Sequence, residues 1–111
     1  MKTIAAVTAL GALAHETRLE VFRLLVRAGA EGLSVGKIAE ALGIEANGRL
    51  TFHLKELVGA GLASSRQEGR FVFYSTNYGA MNELLHYLTE DCCGGLGCSE
   101  IVAACNTESC A

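Results

Sequence analysis

The first two predicted helices carry apolar residues at the spacing of an α-helix. In residues 3–14, apolar side chains recur at every third position, at Ile4, Val7, Leu10 and Leu13. From about residue 15 to residue 28 a second series follows, consisting of Leu19, Phe22, Leu25 and Val26. Because residues three and four apart lie on one face of a helix, each series predicts an amphipathic helix. A glycine-bounded loop at residues 29–32 then ends the second helix.

Two shorter helices joined by a tight turn are predicted next. Ser34 is placed to cap the first of them, because its hydroxyl can accept from a free backbone N–H, and Gly43 is placed to end it. After a turn at residues 44–48, the fourth helix presents an apolar stripe of Leu50, Leu54, Leu57 and Val58. This arrangement is typical of a helix-turn-helix, although any pair of antiparallel helices gives a similar pattern.

Two strands and a fifth helix follow the helix-turn-helix. Residues 62–66 and 70–76 suit strands, and the segment 67–69, which ends in Gly69, suits a tight connection between them. A helix over about residues 77–91 then carries Met81, Leu84, Leu85 and Leu88 on one face. We therefore predict an α+β, mainly α, winged helix-turn-helix: four helices, a two-stranded wing and a fifth helix.

The length of 111 residues suits one domain with its own core. We assign residues 1–93 to the winged helix-turn-helix domain and residues 94–111 to a Cys- and Gly-rich C-terminal tail. The apolar stretch at residues 3–14 is too short to span a membrane, and it lacks a convincing cleavage signal. We therefore expect a cytoplasmic protein that makes no membrane contact.

Charge is distributed unevenly along the chain. The net charge is −3, which by itself argues weakly against nucleic-acid binding. Residues 1–79, however, hold all nine Lys and Arg residues against seven acidic residues, and residues 80–111 hold five acidic residues and no basic one. Because affinity for DNA depends on the charge close to the phosphates, the mildly basic body remains compatible with DNA binding.

All five cysteines lie near the C-terminal end of the chain, at Cys92, Cys93, Cys98, Cys105 and Cys110. In a reducing cytoplasm, such a cluster is more often a metal or redox site than a disulfide framework. The alternative interpretation is a tail whose thiols have no function.

Four segments of the sequence together resemble the ArsR/SmtB family of winged-helix metalloregulators. They are LAHETRLEVFRLL at 13–25, IAEALG at 38–43, LTFHLKELVGAGL at 50–62 and the wing residues EGR at 68–70. The resemblance implies a homodimer joined by the first and last helices, which binds operator DNA without metal and releases it on binding metal. Two departures are a third helix without cysteine and an extra small residue in the turn around Asn47 and Gly48.

The candidate DNA contacts lie on the fourth helix and on the wing. The N-terminal part of the second helix of a helix-turn-helix meets base edges, so we expect contacts away from the leucine stripe. The candidates on this helix are Asn47, Arg49, Thr51, Phe52, His53 and Lys55, and those on the wing are Arg66 and Arg70. The alternatives are an ordinary solvated helix face and, for His53, a core histidine.

The candidate metal ligands are the thiolates of Cys92, Cys93 and Cys98. Soft thiolates select soft or borderline ions, and structural zinc usually takes four ligands with a two-residue gap between paired cysteines, which is missing here. Three thiolates suit pyramidal As(III), and a cysteine pair followed shortly by a third cysteine resembles one arsenic-sensing branch of the family. We expect As(III), Sb(III) or methylarsenite as inducer. Zinc or cadmium and non-functional thiols stay open, as does the role of Cys105 and Cys110.

Two other functional classes are less well supported by the sequence. A thiol-dependent enzyme, such as an arsenate-reducing protein, would need a phosphate-cradling loop or a cysteine activated by a Cys-x-x-Cys motif, and neither is present. A winged-helix module that binds only protein would share the fold without the DNA contacts. We therefore expect a DNA-binding regulator that is not an enzyme and has no organic cofactor.

Overall fold

The computed structural model describes residues 1–90 and contains five helices and one small sheet. The helices are α1 (Thr3–Leu13), α2 (Glu16–Ala28), α3 (Val35–Leu42), α4 (Gly48–Gly59) and α5 (Tyr78–Thr89). The strands are β1 (Leu33–Ser34), β2 (Ala63–Glu68) and β3 (Phe71–Thr76). This element order confirms the predicted winged helix-turn-helix fold, while the assigned tail at residues 94–111 lies outside the described residues.

The sheet has a third strand that the sequence analysis missed. Its strand order is β1-β3-β2 with antiparallel pairing, and Leu33 of β1 lies opposite Tyr74 of β3. With two residues, β1 is too short to show the alternation of apolar and polar positions by which strands are recognised. Gly32 permits the pairing, because a Cβ there would lie only 2.2 Å from the carbonyl oxygen of Tyr74.

The core forms where α2, α3 and α4 pack against the base of the wing. The predicted leucine stripe of α4 is buried, since Leu50 is 2 % exposed and Leu54 and Leu57 are 0 % exposed. The other largest fully buried side chains are Val21, Leu25, Ile38 and Leu62. Burial of these side chains, which come from three helices and from the residue just before β2, fixes how α4 is held on the body of the domain.

Helix α1 packs on the core through its small residues. Ala6, Ala9 and Ala12 are buried, whereas the first residues of the apolar series that predicted the helix point outward: Ile4 is 81 % exposed and Val7 is 62 % exposed. The helix contains no charged residue that would favour contact with water on this outer face. The helix was therefore predicted correctly, but of its larger apolar residues only Leu13 packs against the core of the single chain.

Helix α5 also divides its apolar residues between the core and solvent. Leu84 is buried, while Leu85 and Leu88 are 54 % and 53 % exposed, so the predicted apolar face is only partly covered within the chain. The side chain of Asn77 caps the helix by accepting from the N–H of Ala80 at 3.2 Å. The predicted helix end near residue 91 lies outside the described residues, and α5 ends at Thr89.

Candidate nucleic-acid interface

Local capping contacts shape the first helix of the helix-turn-helix. The hydroxyl of Ser34 accepts a hydrogen bond from the N–H of Lys37 at 3.3 Å, as the sequence predicted. Gly43 ends α3 in the left-handed conformation, with φ 67°, and this confirms its predicted role. The chain therefore leaves α3 in a defined direction and enters the turn at residues 44–47.

Asn47 fixes the start of the recognition helix α4. Its side-chain oxygen accepts from the N–H groups of Arg49 and Leu50 at 3.1 and 3.2 Å, and the first helical residue is Gly48. The extra small residue that the sequence shows in this turn is therefore accommodated, because α4 begins at Gly48 behind an ordinary N-cap residue. The bidentate contact of Asn with adenine needs the same oxygen as acceptor, so the cap competes with the base contact expected for Asn47.

The outward face of α4 carries three of the predicted DNA contacts. Arg49, Phe52 and Lys55 are exposed, and Phe52 is 52 % exposed although it is a large apolar side chain. Thr51 is half-buried, and its hydroxyl donates to the carbonyl oxygen of Asn47 at 3.3 Å. Of the predicted contacts within α4, Arg49, Phe52 and Lys55 are therefore the ones accessible to a duplex.

His53 belongs to the core, as the alternative interpretation of this residue proposed. It is 6 % exposed, and its Nδ1 accepts a hydrogen bond from Nε of Arg18 at 3.1 Å. Burial, together with the nearby charges of His15, Arg18 and Arg49, lowers the pKa of His53 from its ordinary value of 6.5. A buried, neutral imidazole that is engaged by an arginine does not reach base edges, so we no longer count His53 as a direct DNA contact.

Two residues beside the recognition helix were not singled out from the sequence. Arg18 on α2 contacts His53 and also lies over the ring of Phe52, at 5.7 Å from the ring centroid. His15 caps α2 by accepting from the N–H of Thr17 at 3.2 Å, and its ring centroid lies 4.6 Å from that of His53. Both residues lie in the segment 13–25 that carried the family resemblance, but the sequence does not reveal their proximity to α4.

The two arginines predicted on the wing differ in the contacts that they make within the described residues. Arg66 lies over the ring of Phe73, at 5.1 Å from the ring centroid, and its Nε donates to Glu68 at 3.0 Å. Its guanidinium also donates to the carbonyl oxygen of Ala30 at 3.4 Å. Arg70 is exposed at the tip of the wing, and within residues 1–90 it has no hydrogen bond or ion pair. Arg70 is therefore the better placed of the two for a phosphate.

The chain resembles known proteins in both its sequence and its fold. Residues 13–66 match a helix-turn-helix domain family. The chain is 40 % identical over 86 residues to the transcriptional activator HlyU of Vibrio cholerae, and this match covers 75 % of the chain and 76 % of HlyU. The chain belongs to the ArsR/HlyU family of winged-helix transcriptional regulators.

Solved structures of winged-helix regulators resemble this regulator over most of its length. HlyU from Vibrio cholerae superposes with a TM-score of 0.61 at 35 % identity, covering 79 % of this chain and 97 % of that chain. An ArsR-like regulator from Rhodococcus sp. RHA1 gives 0.69 at 23 % identity and covers 95 % and 93 %. The homodimeric winged helix-turn-helix domain of Mb0332 from Mycobacterium bovis gives 0.63 at 23 % identity and covers 95 % and 83 %. The last two likenesses concern the fold alone.

These comparisons also bear on the functional class of the regulator. The relatives named above are transcriptional regulators, which supports the expectation that the chain is not an enzyme. Within residues 1–90, none of the helices has both the length and the apolar character that crossing a bilayer requires.

The predicted metal ligands lie in a part of the chain that the structure does not describe. Cys92, Cys93 and Cys98, like Cys105 and Cys110, follow residue 90. Among residues 1–90, no group of three or more His, Cys, Asp or Glu side chains is arranged to hold a metal ion. The thiolate site therefore stays a prediction that depends on the chemistry of the sequence.

Proposed function

We propose that the regulator is a homodimeric repressor that binds operator DNA through α4 and the wing and releases it on binding As(III). The observation that supports DNA binding best is the division of α4 into a buried leucine stripe and an outward face with Arg49, Phe52 and Lys55. A helix anchored in this way can enter the major groove without losing core contacts. The exposed Arg70 adds a phosphate contact from the wing.

Exposed apolar residues on α1 and α5 support the homodimer. Ile4 and Val7 on α1, with Leu85 and Leu88 on α5, are more than half exposed in the single chain. The two helices also contact each other, since the hydroxyls of Thr3 and Tyr87 share a hydrogen bond. Exposed apolar surface contributed by two adjoining helices is typical of a protein–protein interface. The domain of Mb0332, which shares the fold, is described as homodimeric.

The inducer site is proposed from the chemistry and position of the cysteines. Three thiolates, from Cys92, Cys93 and Cys98, fit the preference of As(III) for soft ligands, and Sb(III) or methylarsenite shares that preference. Cys92 follows the last residue of α5, Thr89, by three positions. An ion held there would act on the helix whose neighbouring leucines we assign to the dimer. Allosteric coupling of this kind typically amounts to about 1–3 kcal/mol.

The DNA contact can be tested on the two wing arginines, which serve as a matched pair. Arg70→Ala should weaken binding to every duplex alike and lower the log–log salt slope by about one, because one phosphate contact is lost. Arg66→Ala should change the slope less, because Arg66 is already engaged by Glu68 and Ala30. The measurement is duplex affinity against salt concentration. Equal slope changes for the two variants would contradict the proposed wing contact.

The inducer is tested by titrating duplex-bound protein with As(III), Sb(III), Cd(II) and Zn(II) under reducing conditions. We expect As(III) and Sb(III) to release the duplex, and Ser substitution of Cys92, Cys93 or Cys98 to prevent release without weakening binding. Cys110→Ser is the matched control and should still respond. Release by Zn(II) or Cd(II) alone would favour the alternative, a zinc- or cadmium-responsive sensor. Normal release of a Ser variant with unchanged arsenic stoichiometry would overturn the three-thiolate site.

The sign of regulation needs its own measurement, because the relative HlyU is named an activator. Transcription in vitro from a promoter that contains the bound duplex should fall when the regulator is added and recover with As(III). An increase in transcript on adding the regulator would overturn the repressor assignment and leave the DNA binding intact. Failure to bind any duplex would instead favour a winged-helix module that contacts only protein.

A further inference from the structure

The contact between Arg18 and His53 connects α2 to the inner side of the recognition helix. His53 is almost completely buried, and Arg18 is half-buried beside it. The Nε of Arg18 donates to Nδ1 of His53 at 3.1 Å, so one end of the guanidinium is fixed against α4. The same guanidinium lies over the ring of Phe52, which is exposed on the DNA-facing side. Arg18 thus links a buried residue of α4 to an exposed one.

This contact requires a particular protonation state of His53. The guanidinium of arginine is always a donor, so Nδ1 must be the unprotonated nitrogen that accepts. In a neutral imidazole the proton then lies on Nε2, and a second proton can be added only at Nδ1. That proton would replace the hydrogen bond by two donors facing each other and two positive charges at the same place. Arg18 would have to move away, and its position over Phe52 would be lost.

We infer that Arg18 is a positioning residue for the recognition helix, and that operator specificity depends on the proton-sensitive hydrogen bond from Arg18 to His53. This inference rests on the proposed DNA binding and adds a determinant that does not itself touch the bases. Arg18 and His53 act by holding α4 and Phe52 in the orientation that reads the sequence. The As(III) site is not involved, so the effect is expected without any metalloid.

The surroundings of His53 favour the neutral form that the contact needs. The charged or titratable groups near it are His15, which caps α2, and Arg18 on α2, and on α4 itself they are Arg49 and Glu56. Burial and the first three of these groups lower the pKa of His53, while Glu56 opposes them. Glu45, in the turn before α4, lines the same cavity of about 350 Å³ as His53 and Arg49. The contact is therefore formed at neutral pH and is lost only on acidification.

Acidification should act oppositely on specific and non-specific DNA binding. Additional positive charge near the phosphates strengthens binding to any duplex. Loss of the Arg18 contact weakens only the readout that depends on the orientation of α4 and Phe52. The ratio of specific to non-specific affinity therefore separates the effect of positioning α4 from the effect of added charge. The operator affinity alone contains both effects.

The experiment measures the affinity of the full chain for two duplexes between about pH 8 and about pH 4.5, at constant salt and without metalloid. The range extends below that of an ordinary histidine because the pKa of His53 is lowered. One duplex is selected by the wild type from a random library at the higher pH, and the other is a scrambled sequence of equal composition. The operator-to-scrambled affinity ratio of the wild type should fall roughly tenfold on acidification, as expected for loss of one hydrogen bond to a charged group.

Substitutions identify the titrating group. His53→Asn places an amide oxygen where Nδ1 accepts, so it should keep the ratio of the wild type at the higher pH and not change with pH. Arg18→Met removes the donor, and its ratio should be low at every pH. His15→Asn keeps an N-cap acceptor for α2 and should retain the fall, and His86→Gln on α5 is a distant histidine control. Circular dichroism at each pH checks that every variant is folded.

Each outcome decides between the alternatives. A wild-type ratio that stays constant on acidification, or an equal fall in His53→Asn, overturns this inference alone. A fall that disappears in His15→Asn assigns the titration to His15 and also overturns it. If Arg18→Met does not fold, the comparison of the wild type with His53→Asn still tests whether the fall in the affinity ratio depends on His53. A wild type without sequence preference at the higher pH overturns the proposed DNA binding together with this inference.

Discussion

Helices α4 and α1 both show a periodic series of large apolar residues, yet they use it in opposite ways. In α4 the series is turned inward, and Leu54 and Leu57 are 0 % exposed. In α1 the large residues are turned outward, with Ile4 81 % exposed, and the core side consists of alanines such as Ala9, which is 1 % exposed. The difference separates a helix that holds the single chain together from one whose apolar face, in our proposal, is covered by a second chain.

The contrast also fits the two functions that we propose for these faces. The polar face of α4 is free for DNA because its leucines already have partners within the chain. The small residues of α1 allow the helix to lie close to the core, and its large residues remain available for association.

The largest effect is expected for truncation of a buried leucine on α4. Leu54→Ala should lower the free energy of unfolding by about 2–5 kcal/mol, because a fully buried side chain is replaced by a cavity. The neighbouring exposed substitution Lys55→Ala should change it by no more than about 0.5 kcal/mol. Both are measured by denaturant unfolding at one protein concentration, since association also contributes. Similar values for the two variants would contradict the inward assignment of the stripe.

Charge on the outer face of α1 should separate the subunits without unfolding them. The double variant Ile4→Glu with Val7→Glu should raise the dimer dissociation constant at least roughly 100-fold, because charges would be buried in an apolar interface. Ile44→Glu introduces the same charge at another apolar residue of moderate exposure, 42 %, and should leave the dimer intact. Sedimentation gives the molar mass and circular dichroism the helicity. A double variant that remains dimeric would remove α1 from the interface.

Enlarging the inner face of α1 should destabilise the single chain. Ala9→Leu forces additional methyl groups against the core and should cost about 1–3 kcal/mol of unfolding free energy. The same change at the exposed Ala5 is the matched control and should cost much less. Thermal unfolding of both variants measures the difference. Equal destabilisation would mean that α1 is not held closely by its alanines.

The smallest effect concerns the buried histidine of α4 and its dependence on pH. Because the pKa of His53 is lowered from 6.5 in the folded chain, the unfolded chain takes up a proton first as the pH falls. The stability that His53 contributes is therefore fully present above about pH 6.5 and is lost as the pH falls through the folded-state pKa. The unfolding free energies of the wild type and His53→Asn should differ little in their pH dependence at neutral pH. Below about pH 6.5, the unfolding free energy of the wild type should fall more steeply with decreasing pH than that of His53→Asn. Parallel pH profiles would contradict a neutral, buried His53.

Most of the candidate DNA interface followed from local sequence, and the exceptions are the residues whose partners are distant in the chain. The caps at Ser34 and Gly43 and the inward leucines of α4 were predicted, because each depends on neighbours within a few positions. The competing role of Asn47 as a helix cap, the burial of His53 and the engagement of Arg66 were not settled. The contacts of His53 and Arg66 include residues more than thirty positions away.

The sequence by itself determined the succession of helices and strands, the leucine stripe of the recognition helix and the gathering of the cysteines near the C-terminal end. Only the tertiary structure decided which face of α1 meets the core, that Leu33 pairs with β3, and that Arg18 lies against His53. Periodicity shows which residues share a face of a helix, because that is a property of the backbone. What the face packs against depends on the shape of elements distant in sequence, and in α1 the side that meets the core is the one that carries the small alanines, which leaves Ile4 and Val7 on the outer side.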